Sequence, residues 1–290
     1  MRTTTNIRRS RWGLIWGLLV AVLLTACGGP QSGGPAPVEV GATEDRDSVL
    51  LANLYAAALR YYGQPADVEV VANPLAELDA GSLRVVPGFT GRLLRRFDPT
   101  APGRSDEQVY KAMVAALPEG VAAGDFTTAA EDKPAVVVTE ATAVAWGGRD
   151  LTDLVTNCER ISAGVVRGVA TPPDIGTCKM PKPRQYPDAA ALFSALKAGE
   201  INIAWTTTAD PDTPGDVVVL ADRKPMLIQA DNAVPLYRRN ELDQQQVLAI
   251  NQIAGVLDTA ALKRMRKDVA EGRDPRTVAE AWLADNPLGR

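Results

Sequence analysis

Residues 38–63 read "VEVGATEDRDSVLLANLYAAALRYYG", and "DVEVVAN" follows at 67–73. A short run with every second residue apolar, a longer run with apolar residues at helical spacing stopped by Gly63, and a second short run form a strand–helix–strand unit. Working outward, the alternation persists. "PLAELDAG" (74–81) is a short helix, "SLRVVPGF" (82–89) a strand broken by Pro87, and "TGRLLRRF" (90–97) a helix with basic residues. "SDEQVYKAMVAALP" (105–118) opens on Ser105 as N-cap, with acids in its first turn. A second block starts at "KPAVVVTEATAVAWGG" (133–148), runs through the helix "PDAAALFSALKAG" (187–199) and the strand "INIAW" (201–205), and continues to "MLIQADNAVPLYRR" (226–239). The remainder is helical, each segment starting on an aspartate: Asp243, Asp258 and Asp274. This alternation predicts an α/β protein with two sheets, the strands near 135 and 234 marking two crossings between lobes.

The amino terminus decides the compartment. "MRTTTNIRRSRW" carries four arginines and no acid, "GLIWGLLVAVLL" is mostly apolar, and "LTAC" follows. The apolar run is shorter than the about 20 residues a permanent span needs, so it reads as a secretory signal (1–26) ending in a lipoprotein box, with Cys27 as the lipid-bearing first mature residue. "GGPQSGGPAPV" (28–38) has the composition of a tether, and the tether is placed at 27–37. Loss of the four arginines takes the formal net charge from −4 to −8. That argues against nucleic acid or electrostatic adhesion to anionic lipid, leaving the lipid anchor as the membrane contact. Cys158 and Cys178, an even pair in an oxidising exterior, are expected to form a disulfide.

The chain contains no histidine. Serine and cysteine nucleophiles therefore lack their usual base, and the common metal constellations fail, so neither an enzyme nor a metal site nor a cofactor is expected. A carboxylate-dependent enzyme survives only as a weak rival, because no spacing singles out a pair of acids. "DPDTPGD" (210–216) resembles a calcium loop only faintly; two prolines interrupt it and Ala221 stands where a glutamate belongs. An exported α/β chain of two lobes with no catalytic apparatus points to a cleft that closes on a small solute.

"LDAGSLRVVPGFTGRLL", "LKAGEINIAWTTTADP", "QADNAVPLYRR" and "VAEGRDPRTVAEAWL" resemble, in order and spacing, the substrate-binding proteins of osmoprotectant importers of the glycine betaine, carnitine and choline class, in the lipoprotein form found in actinobacteria. Residues 150 to 190 match poorly. The resemblance implies a two-lobe class II periplasmic-binding-protein-like fold, each lobe a mixed sheet flanked by helices. Lobe 1 would comprise 38–133 and 233–290, lobe 2 134–232. It implies ligand held by aromatic faces around a quaternary ammonium and by basic or hydroxyl donors around a carboxylate.

Carried onto this sequence, the implied cage is uneven. Phe89 stands where a cage tyrosine is expected, Thr207 and Asp231 where two further aromatics are expected, and Pro134 at another wall. Three lost aromatic walls cost about 0.5–2 kcal/mol each for a desolvated cation, which predicts a ligand more polar than betaine. Thr43 corresponds to an expected lysine, and the carboxylate-clamping arginine falls near Cys178 and Lys179. Trp205 offers a replacement face, or is core. Arg92 is a ligand clamp, or belongs to a solvated helix face. Lys179 is a donor held rigid by the disulfide, or an ordinary loop lysine. Of the three threonines 206–208, either all reach the cleft or only Thr207 sees solvent. The functional expectation is a monomeric extracytoplasmic solute-binding lipoprotein, with a small organic solute and ABC permease subunits as partners. Its rival is an envelope lipoprotein that keeps the fold as a sensor or protein-interaction scaffold.

Overall fold

A computed structural model of the chain describes residues 36–289 together with Met1 and Thr3. The signal, Cys27 and nearly all of the tether read above lie outside the described residues. The described residues from Pro37 onward form one compact unit.

The first lobe begins with β1 (Val38–Ala42), α1 (Arg46–Tyr61), β2 (Ala66–Val70), α2 (Pro74–Ala80), β3 (Val85–Phe89), α3 (Thr90–Phe97), α4 (Asp106–Ala115) and β4 (Val121–Ala123). The second holds β5 (Pro134–Val138), α5 (Glu140–Trp146), α6 (Leu151–Thr156), β6 (Ala163–Val166), β7 (Asp174–Ile175), β8 (Cys178–Lys179), β9 (Arg184–Tyr186), α7 (Ala189–Lys197), β10 (Ile203–Thr207) and β11 (Val218–Val219). The chain then returns through β12 (Ala233–Arg238) to α8 (Gln244–Asn251), α9 (Ile253–Val256), α10 (Thr259–Ala270) and α11 (Pro275–Asp285). Strand order is β2-β1-β3-β12-β4 in one sheet and β11-β5-β10-β6-β9 in the other, both mixed. β12 is thus inserted antiparallel between β3 and β4 after the whole second lobe has intervened.

The period-two pattern decides what each face buries. Val85 and Phe89 of β3 face a core shared with α1 and the carboxy-terminal helices, whereas Val86 faces the core under α3 and α4. α1 is apolar nearly all round, every residue from Leu50 to Leu59 being buried, because the sheet covers one side and α8, α10 and α11 the other. The capping aspartates do what their position predicts: Asp243, Asp258 and Asp274 accept from the backbone N–H groups of Gln246, Ala261 and Thr277.

One expectation is corrected here. Pro87 does not break its strand; it lies inside β3 directly opposite Pro235 of β12. Neither residue has an N–H, so facing each other at a non-bonded position of the antiparallel ladder they leave no donor orphaned.

Candidate functional site

Phe89 ends β3 and Thr90 starts α3, so the "GFTG" turn puts the first backbone N–H groups of a helix beside the returning chain at Ala230–Asn232. The approach is close enough to require glycine: a Cβ on Gly91 would stand 2.5 Å from the Ala230 carbonyl oxygen and 3.0 Å from Asp231 Oδ1. Asp231 uses that gap. Its Oδ1 accepts from the Arg92 backbone N–H at 2.9 Å, and its Oδ2 lies 3.0 Å from Arg92 Nε.

Asp132, on the segment leading into β5, and Arg266, on α10, complete the cluster. Arg266 Nη1 lies 2.9 Å from Asp132 Oδ1, its Nη2 donates to Asp132 Oδ2 at 2.9 Å, its Nε lies 3.1 Å from Asp47 Oδ2, and its Nη1 donates to the Ala209 carbonyl at 3.3 Å. Arg92 Nη2 donates to the Asp132 carboxylate and, at 3.0 Å, to its carbonyl. Both guanidiniums lie near the Phe89 ring, 4.5 Å from its centroid for Arg92 and 5.7 Å for Arg266, within cation–π range. Asp132, Asp231 and Arg266 are almost fully buried.

Burial sets the proton affinities. Desolvation outweighs the attraction of Arg92 and lifts the Asp231 carboxyl to about 6. Asp132 is also desolvated, but Arg266, Arg92 and Thr207 together prevail and hold it below the usual carboxylate range. Asp47 is raised by its burial, which Arg266 only partly offsets.

A cavity of about 660 Å³ lies beside this cluster. The first lobe contributes Arg95, Pro99 and Ala101–Arg104, the second the 170–174 turn, and the connecting segments Pro134 and 227–229. Arg104 Nη2 faces Asp174 Oδ1 across it at 3.9 Å. The β7–β8 hairpin behind the turn is tied down by the Cys158–Cys178 disulfide, with Cα atoms 5.5 Å apart.

The structure therefore brings Phe89, Arg92, Thr207 and Asp231 together, and it puts Pro134 on the cavity wall. It sets three candidates apart. Trp205 shares the sheet face of Ile203, Val136 and Val138 and is buried in the second lobe's core, as the pleat of β10 requires, so the ligand-facing reading is corrected to the core one. Lys179 is well exposed and pairs with Asp174 at 3.4 Å, at the rim. Thr43 lies in the β1–α1 turn, its N–H bonded to Ser48 Oγ; the neighbouring Asp47 is the residue that reaches Arg266. Thr206 bonds to Asp210 and Thr213, and Thr208 to the Glu131 carbonyl, so only Thr207 of the three turns to Asp132.

Asp132, Arg266, Arg104 and Asp174 were not singled out from sequence. Arg266 left a signal: with Leu262, Met265 and Val269 it falls on the apolar stripe of α10, where a charge requires a buried partner. Asp132 and the Arg104–Asp174 pair left none.

Two α/β lobes joined by crossing segments, with a cavity walled by both, define a solute-binding protein of the periplasmic type. The model of the substrate binding domain of the ABC-type glycine betaine transport system, OpuAC, matches residues 36–285, and the chain belongs to that family, one of binding proteins and not of enzymes. Apo YehZ from Escherichia coli is similar in structure, with a TM-score of 0.67 at 18% identity over 86% of this chain and 98% of that one. A glycine betaine/carnitine/choline ABC transporter structure gives 0.70 at 16% identity over 86% and 98%. An ABC-transporter choline binding protein in complex with choline gives 0.52 at 14% identity over 87% and 89%. At such identities the likeness is one of fold. No curated protein sequence matches significantly.

Proposed function

We propose that this chain is the extracytoplasmic solute-binding lipoprotein of an ABC importer, anchored through Cys27, and that its ligand is a polar organic solute and not a quaternary ammonium. The cavity walled by both lobes carries this reading, because its charged groups, Arg95, Arg104 and Asp174, sit among prolines with no ring offered to a cation. Such a lining suits a solute with hydroxyl or carboxylate acceptors and an apolar edge. Phe89, Arg92, Thr207 and Asp231 stand behind this cavity in this reading, the Phe89 ring already covered by Arg92, and Lys179 stands at the rim. Lobe closure on the solute is the signal a permease reads, so ligand stabilises the closed form by its differential affinity.

The test is a thermal-shift screen of the purified chain against polyols, amino acids, aromatic polyphenols, betaines, carnitine and choline. A hit among the polar solutes that exceeds glycine betaine and choline, and is weakened by Arg104→Ala, supports the reading. A response led by betaine overturns the ligand class. No response from any of them favours the second reading, a sensor or scaffold that keeps the fold. One observation already leans that way: the charges around Phe89 satisfy one another. Cys27→Ser, expected to release the protein from the membrane, tests the anchor.

A further inference from the structure

The surroundings of Arg92 are those of a cation site whose cation is part of the chain. One aromatic face, the carboxylates of Asp231 and Asp132 and the Asp132 carbonyl converge on a single guanidinium. A π face with two carboxylates and a carbonyl is what a small organic cation needs to replace its water. The partners form an inner wall, with side chains of Asp132 and Asp231 only 4% and 1% exposed, while the Arg92 side chain is 45% exposed. The cation is thus the one component of the site with a side open to solvent.

We propose that Arg92 sets the specificity of this cleft as a resident cation: it fills the subsite on Phe89 and denies it to free ammonium- or guanidinium-type solutes. The inference deepens the importer reading, on which it rests for the cleft being a ligand site. Two observations favour it over a role for Arg92 as a clamp on a ligand's carboxylate. Nε and Nη2 are already committed to Asp231 and Asp132, so most of the guanidinium fork is taken. The cluster also holds three acids, Asp47, Asp132 and Asp231, against two arginines. Without Arg92, only Arg266 and the more distant Arg95 would face those acids, and the deficit of positive charge would draw in a diffusible cation.

The experiment compares wild type with Arg92→Ala for binding of choline and methylguanidinium, by thermal shift and titration calorimetry. The expected result is binding to Arg92→Ala on the order of tenfold tighter than to wild type, the scale of one desolvated cation–π contact, and its loss in Arg92→Ala/Asp231→Asn. A folded Arg92→Ala that binds neither cation better than wild type overturns the proposal. Should that variant be too unstable, Arg92→Gln, whose amide keeps a donor toward Asp231, carries the same comparison. If neither folds alone, recovery of folded protein on adding either cation supports the proposal and failure to recover overturns it. The polar-solute screen on wild type reports on the importer reading separately, so failure of one is distinguishable from failure of the other.

Discussion

Two charged regions lie between the lobes, and they are built in opposite ways. Around Phe89, Asp132, Asp231 and Arg266 are withdrawn from water, and each of their charges is the answer to another. Around the 660 Å³ cavity, Arg104 and Asp174 are both partly exposed and meet at 3.9 Å. In the first region a lost partner strands a buried ion, which is expensive; in the second an exposed pair contributes about 0–1 kcal/mol and is readily exchanged. The sealed cluster therefore joins α10, the crossing segment at Asp132 and the loop after β10 into one structural joint. The open region is where a solute can trade places with an ion pair at little cost.

That contrast is easiest to break at Asp132. Asp132→Ala leaves Arg266 buried without its carboxylate, and equilibrium unfolding should show a loss of about 3–5 kcal/mol. A loss below about 1 kcal/mol, the value of an exposed pair, would erase the distinction between the regions. Next in size is the disulfide. Cys158→Ser/Cys178→Ser should cost about 3 kcal/mol, with amide exchange rising in the Asp174–Lys179 hairpin and not at the Phe89 cluster. Faster exchange at both would mean that the regions do not move independently.

Asp231 sharpens the comparison through pH. Its folded proton affinity, at about 6, lies above the ordinary 3.8, so the folded state holds the proton more tightly than the unfolded chain does. Stability from this group is therefore full below 3.8 and is lost as pH rises toward about 6. Asp231→Asn has no proton to lose, so its melting temperature relative to wild type should rise across that window and level off above it. A difference independent of pH would show that Asp231 ionises freely. The smallest stability effect belongs to Arg104→Ala, expected within about 0.5 kcal/mol of wild type by unfolding. Its ligand response should nevertheless fall, and a stability loss as large as that of Asp132→Ala would place Arg104 in the sealed class.

The fold was legible because its signals are local and repeated. The spacing in α1, the aspartate caps of α8, α10 and α11, and the alternating runs each name their element without knowledge of its neighbours. Pro87 misled, because a proline's tolerance in a strand depends on what lies opposite, and Pro235 is distant in sequence. The site was half legible. Phe89 and Arg92 come from one short turn that Gly91 lets close, whereas Asp231, 139 residues further on, was legible only through the family resemblance. Asp132, Arg104 and Asp174 acquire their roles only from partners 40 to 134 residues away or from across the cavity, which no local pattern encodes. Trp205 shows the limit in the other direction: a tryptophan at a strand end serves either side, and only the pleat of β10 assigns it to the core.

The placement of β12 has a bearing on the order in which the chain can fold. All the strands of the second sheet lie within residues 134–219, so that lobe holds its sheet in one continuous stretch. The first sheet has no such independence: β4 has β12 as its neighbour, and β12 arrives only at Ala233–Arg238. A nascent chain halted before Ala233 would expose the facing edges of β3 and β4 and would not yet have Arg266 to neutralise Asp132. The amino-terminal half thus waits for its own closing strand, and chaperone capture of stalled chains should be strongest just before that strand emerges.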